Sequence, residues 1–122
     1  MTEVNPDAFL TACPSRGLVA RLGEKWALLV LVAIAGGCRR FGALKRRLEG
    51  ISPKMLTQTL RTLERDGLIH RQVVSTRPVA VEYSLSPLGA DLLPLAQALK
   101  SWAEAHLHEI VQHNAAFDGA AD

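Results

Sequence analysis

Five side chains rich in hydrogen-bonding groups, Lys54, Thr57, Gln58, Arg61 and Arg65, recur at spacings that a helix would gather on one side. At about 100° per residue, Leu56, Leu60 and Leu63 fall within about 60° of one another on the other side. A helix that only fills a core needs the leucines alone. Arg and Lys hydrogen-bond guanine edges and phosphates, and Gln is bidentate to adenine. The chemistry open to such a face is recognition of a polyanion with readable edges, not bond breaking. Ser52 is a good N-cap, Pro53 suits the first helical position, and Gly67 is a stop, so the helix is expected to run to Asp66.

The charge distribution agrees. The 122 residues carry a net charge of only +2. Arg39 to Arg77, however, contains ten Lys/Arg and three acidic residues, a net +7, which leaves four basic and nine acidic residues elsewhere, a net −5. Such asymmetry is an electrostatic footprint for nucleic acid. Hydrophobic content of 48% and charge of 21% belong to an ordinary globular chain of single-domain length. Glu3 and Asp7 stand where a secretory signal would be basic, and the apolar run Trp26 to Ala35 is about half a membrane span. Cys13 and Cys38 make neither a disulfide framework nor a zinc spacing. A cytoplasmic chain with no membrane partner is expected.

The elements that must position the polar face follow from caps and periodicity. Residues 1–12 read as a flexible arm with Phe9 and Leu10 as anchors, and residues 13–112 as one domain. A short helix runs from Cys13-Pro14 to about Leu22, and an apolar second helix from Glu24 to Ile34 belongs in the middle of the core. A brief extended piece, Cys38 to Phe41, leads into a third helix, Phe41 to Leu48. There Phe41, Leu44 and Leu48 share one face, with Lys45, Arg46 and Arg47 around the others. Two helices joined by the tight turn Glu49-Gly50-Ile51, the second amphipathic and basic, form the helix-turn-helix pattern. Ile69 to Val74 and Val79 to Leu85 are β-rich around the turn Ser75 to Pro78, which makes a hairpin with Arg77 at its tip. Ser86-Pro87 opens a last helix in which Leu88, Leu92, Leu95, Leu99, Trp102 and His106 recur at helical spacing, with Pro94 expected to bend it. That stripe exceeds what one small core can cover. Leu92, Leu95, Leu99, Trp102 and His106 are therefore read as a two-fold interface shared with the first helix. Residues 113–122 read as a flexible tail. The fold class is mainly α with a small β-hairpin wing (α+β): a winged helix-turn-helix with N- and C-terminal dimerisation helices.

The same residues resemble the HxlR-type branch of the MarR-like bacterial transcription regulators, from about Cys13 to His106. The likeness lies in Cys13-Pro14, in GEKWALLVL from Gly23 to Leu31, in RRFGAL from Arg39 to Leu44, in the block GISPKMLTQTLRTLERDGLI, and in VEYSLSPLG from Val81 to Gly89. The spacing from Leu92 to Trp102 completes it. Glu24 stands where the family usually has glycine, and the tip STRPVA is less proline-rich than is common there. The resemblance implies a homodimer that binds a short inverted repeat in double-stranded DNA near a promoter. It also implies that the cysteine of the CP motif senses electrophiles or oxidants in several relatives.

On physical grounds Cys13 is a fair candidate for sensing, since a helix N-terminus and Arg16 one turn on favour thiolate. Cys38 reads as a small buried hydrophobe. His106 and His108 point about 160° apart on a helix, and His113 lies about 10 Å from His106 along it, so no single-helix metal site forms. No metal or other cofactor is expected, and no constellation suggests an enzyme. Lys54, Thr57, Gln58 and Arg61 are expected at bases or nearby phosphates, with Ser52 donating at the helix start and Arg65 beside them. Arg39, Arg40, Lys45, Arg46 and Arg47 are expected on backbone phosphates, and Arg77 at a wing contact. The expected function is a dimeric, sequence-specific DNA-binding regulator responsive to oxidants or electrophiles through Cys13. Two alternatives stand beside it. One is a small-molecule-responsive regulator without redox sensing, its pocket near Trp26 and Trp102. The other is a winged-helix protein-interaction module, which would call for an apolar or acidic fourth helix.

Overall fold

The computed structural model describes residues 5–120; the first four residues of the arm and residues 121–122 of the tail lie outside the described residues. The elements are α1 (Pro14–Leu22), α2 (Ala27–Ala35), α3 (Phe41–Arg47), α4 (Pro53–Arg65), β1 (Ile69–Thr76), β2 (Val79–Leu85) and α5 (Pro87–Ala120). This is a mainly α-helical fold with a small antiparallel hairpin, as the sequence suggests.

α2 is the hub. Val30 and Leu31 are wholly buried and Ala27, Ala33 and Ile34 nearly so, and the helix packs against α3, α4, α5 and β2. Leu44 and Leu48 from α3, Ile51 from the turn, and Leu56, Leu60 and Leu63 from α4 complete the core. The α3–α4 turn closes through the Ile51 N–H on the Leu48 carbonyl at 3.1 Å, with Gly50 at φ 91°. A side chain there would be strained, which is why glycine occupies it.

β1 and β2 pair antiparallel from Ile69↔Leu85 to Thr76↔Val79, with an irregularity between Val73 and Ser75. β1 thus extends two residues beyond the expected Val74, and the turn shrinks to Arg77-Pro78. The extra residue at the irregularity lets the ladder continue through Ser75 and Thr76, residues that composition alone assigns to a turn. Cys38 to Arg40 form no strand of their own. The Arg39 carbonyl nonetheless accepts the Tyr83 N–H at 2.7 Å, which ties the entry of α3 to the wing.

α5 differs most from expectation. It runs for 34 residues, about 50 Å, and Pro94 lies inside the continuous helix. The sequence reading ends the ordered domain at residue 112, but residues 113–120 are helical. Asn114 to Phe117 contain no breaker, and the first glycine comes only at 119. The arm is also held differently. Phe9 is 89% exposed and Leu10 is exposed too, so neither anchors it. Instead the Arg16 guanidinium donates to the carbonyls of Ala8 and Phe9, folding residues 5–12 back over the start of α1.

Candidate nucleic-acid interface

α4 begins where the Ser52 hydroxyl accepts the Met55 N–H at 3.0 Å. This satisfies one of the free donors of the first turn. Ser52 is therefore an acceptor from the helix start, and its hydroxyl proton stays available to a ligand. Beyond the cap, α4 separates its residues cleanly. Leu56, Thr59, Leu60 and Leu63 are buried, whereas Lys54, Thr57, Gln58, Arg61 and Arg65 are exposed. The same five, with Thr62, line one shallow polar depression along the outer face. The helix that carries these residues is of a kind the major groove admits.

The remaining basic residues do not all join that face. Arg39, Arg40 and Arg46 line a second depression with Glu82 beside the entry to α3. Within it Arg40 donates to the Glu82 carboxylate at 3.2 Å. Arg40 is thus partly engaged in holding the wing against α3, while Arg39 and Arg46 have no carboxylate partner among the described residues. Lys45 is exposed on α3. Arg47 turns away to the rim of a cavity of about 430 Å³ between α2, α3 and α5. Arg77 is exposed at the wing tip.

Cys13 is the N-cap of α1 and 7% exposed. Its sulfur accepts the Ser15 N–H at 3.3 Å and donates its own proton to the Asn5 carbonyl at 2.9 Å. Burial pushes the thiol pKa up, but hydrogen bonds from Ser15 and Arg16 and the Arg16 charge outweigh it, and the net shift is downward. Cys38 is half-buried, and both cysteines are free thiols. Among the described residues no group of three or more His, Cys, Asp or Glu side chains is placed to hold a metal. No described helix is long and apolar enough to cross a membrane.

The predicted interface residues split. Leu92 packs partly on the domain's own core. Leu95, Leu99 and Trp102 are 64%, 53% and 54% exposed. His106 stacks on Trp102 at 4.4 Å between ring centroids, its Nδ1 2.8 Å from the Trp102 carbonyl, a contact that places the proton on Nδ1. Leu107, Ile110, Val111 and Phe117 extend the exposed apolar surface along α5, and Leu18 and Val19 add to it from α1.

Two features escape sequence reasoning. Arg21 forms a fork with Asp66, Nε to Oδ2 at 2.8 Å and a terminal nitrogen to Oδ1 at 3.1 Å. The pair lies 45 residues apart with no local signature. Gly89 approaches the Leu68 carbonyl so closely that an added Cβ would sit 2.0 Å from the oxygen. Its place in the VEYSLSPLG block is the only trace of this in the sequence.

The profile of the HxlR-like helix-turn-helix family matches residues 21–111. The uncharacterized HTH-type transcriptional regulator YtfH of Escherichia coli (strain K12) is 41% identical over 103 residues, covering 84% of this chain and 82% of its own. Among solved structures, the ytfH protein of Salmonella typhimurium superposes with a TM-score of 0.82 at 38% identity, covering 92% of this chain and 98% of that one. The redox regulator HypR has been solved in two forms. The reduced form gives a TM-score of 0.73 at 33% identity, covering 81% of this chain and 98% of that one. The oxidized form gives 0.69 at 36%, covering 76% and 96%. A fold of this topology with a capped, basic α4, matched over most of its length, places the chain in the HxlR-like helix-turn-helix family, whose members here are transcriptional regulators and not enzymes.

Proposed function

We propose that the protein is a homodimeric, sequence-specific DNA-binding transcription regulator of the cytoplasm, with α4 in the major groove and Arg77 of the wing on an adjacent phosphate or minor groove. The observation that carries this is the outer face of α4. Lys54, Thr57, Gln58, Arg61 and Arg65 stand together in the water, and among the described residues no acidic side chain lines their depression. An acidic or apolar protein-docking helix would look otherwise. Two copies related by a two-fold axis, joined through α5 and α1, would put their α4 helices in successive major grooves, about one helical turn apart. The exposed apolar stripe supports that joining.

Cys13 is the proposed sensor, oxidised or alkylated as thiolate. Its lowered pKa and its place at the head of α1 support this, as does the likeness to HypR, a redox regulator solved in reduced and oxidized forms. A second reading is favoured by the cavity beside Trp26. It is floored by Leu29, Val32 and Ala33 and lined also by Arg47, Glu49 and Lys100, which suits a small, mainly apolar effector with a polar group. Trp102 does not line it. Fluorescence anisotropy of the reduced protein on DNA from upstream of its own gene tests the main reading. At near-physiological salt, preference over scrambled DNA should reach about a hundredfold or more. Equal binding to both would overturn it. If Cys13→Ser abolishes the oxidant response, the thiol is the sensor; if the response persists, the Trp26 cavity is the place to look.

A further inference from the structure

The turn after α4 is where both helices of the proposed dimer seam take hold of the DNA-facing element. α4 ends at Arg65, and Asp66 caps it with its N–H on the Thr62 carbonyl. Gly67 follows at φ 76°, then buried Leu68. From the α5 side, the Ser86 hydroxyl donates to the Gly67 carbonyl at 2.5 Å and accepts the Gly89 N–H at 3.0 Å, while the Ser86 N–H donates to the Leu68 carbonyl at 3.1 Å. From the α1 side comes the Arg21–Asp66 fork, with the Asp66 side chain only 11% exposed. An apolar cleft between α1 and α5, lined by Leu18, Leu22, Leu88, Leu92 and Leu95, closes on Asp66.

These holds differ in kind. α5 grips the backbone of the turn, which fixes where α4 ends. The buried Leu56, Leu60 and Leu63 seat α4 on the core, and the glycine joint leaves the fine setting of its C-terminal end to a further hold. α1 has no fully buried side chain and rests mainly on α2. Among the described residues, no side-chain hydrogen bond other than the fork joins α1 to α4. A planar guanidinium bonded at two points fixes orientation as well as distance.

We propose that Arg21 is a positioning residue: through Asp66 it sets the angle of α4 against the dimer seam, and so sets which separation of two half-sites the protein accepts. The inference rests on the dimeric DNA-binding reading given above. Spacing selectivity requires two recognition helices held rigidly to a common frame, and the fork is the side-chain strut between frame and helix on the α1 side. Its contribution to folding is modest, because Arg21, 37% exposed, keeps contact with water, which screens the pair. Its consequence is geometric.

The test uses the full-length protein and an inverted repeat selected by the wild type from random duplex DNA. Companion duplexes have the spacer lengthened or shortened by one base pair, and another carries a single half-site. Arg21→Gln should remain a dimer and melt within about 3 °C of wild type. It should bind the single half-site within about twofold, yet lose about tenfold on the selected repeat, with its preference over the altered spacers largely gone. Arg21→Lys, which keeps the charge and one donor toward Asp66, should recover part of that preference. Asp66→Asn, which also changes the neighbour of Arg65 at 3.9 Å, should lose the same spacing preference as Arg21→Gln. Unchanged spacing preference in Arg21→Gln and Asp66→Asn would overturn the assignment. Equal weakening on half-site and repeat would overturn it too, since that is what a merely structural role predicts. If the wild type itself selects no inverted repeat, the dimeric reading falls and takes this inference with it. That outcome is distinguishable because it appears before any substitution is made.

Discussion

The outer faces of α4 and α5 are both open to water, but they are built from opposite chemistry. On α4 the exposed residues are Lys54, Thr57, Gln58, Arg61 and Arg65, whose heads are well solvated and cost the free protein nothing. On α5 they are Leu95, Leu99, Trp102, Leu107 and Ile110, which keep apolar surface in water at about 25 cal/mol per Å². A polar face can be occupied or vacant, so its ligand can be taken up and released. An apolar face of this length is stable in water only when covered. The contrast fits the proposal that DNA is the reversible contact and a second copy of the chain the standing one.

The comparison is easiest to break from inside α4. Leu60→Ala, at a buried position, should cost about 2–5 kcal/mol of unfolding free energy in a denaturant titration. Its neighbour Arg61→Ala should leave that titration within about 0.5 kcal/mol of wild type. Equal effects would mean that the two faces of the helix are not distinct. On α5, Leu99→Glu should retain the monomer fold but raise the dimer dissociation constant by at least about a hundredfold in sedimentation equilibrium, because it buries an unpaired carboxylate in the seam. A dimer of wild-type strength would place the interface elsewhere.

Smaller effects sharpen the picture. Gln58→Ala should cost about 1–3 kcal/mol in DNA binding, together with base preference at one position per half-site. Ser52→Ala should cost about 1 kcal/mol of stability through the lost cap on the Met55 N–H. For Cys13 the pH dependence has a definite sign. A thiol pKa lowered in the folded state means that thiolate persists to lower pH than for an ordinary thiol. Folding stability from this group is fully present above the unfolded-state pKa and is lost as pH falls through the folded one. The alkylation rate should rise as pH rises through the folded pKa and level off above it. Replacing Asn5 to Phe9 with a flexible glycine-serine segment should raise the plateau rate, because the Asn5 carbonyl and the folded-back arm cover the sulfur. An unchanged rate would show that the arm does not limit access.

How much of this the sequence carries depends on whether a feature is local. Ser52, Pro53 and Gly67 mark the ends of α4 within a residue, and the leucine period fixes its buried side, because caps and periodicity act over one or two turns. The core role of α2 is equally plain from its uninterrupted apolar run. Long-range pairings are not legible. Arg21 reads as one more basic residue and Asp66 as part of a turn until folding brings them together across 45 positions. Arg47 is indistinguishable from Arg46 in sequence, yet a single residue step, about 100° around the helix, carries it to a different cavity. Residues 113–120 offer Phe117 alone as a large apolar side chain, so no periodic stripe calls for a helix there; only the absence of a breaker before Gly119 allows one.

The claim on which the account turns is that the outer face of α4 reads bases and does not merely neutralise phosphates. The most direct measurement is anisotropy with wild type and Arg61→Ala on a selected operator in which each base pair is replaced in turn. The account predicts that Arg61→Ala loses discrimination at one position in each half-site while keeping it elsewhere. Uniform weakening at every position, or no change at all, would contradict it.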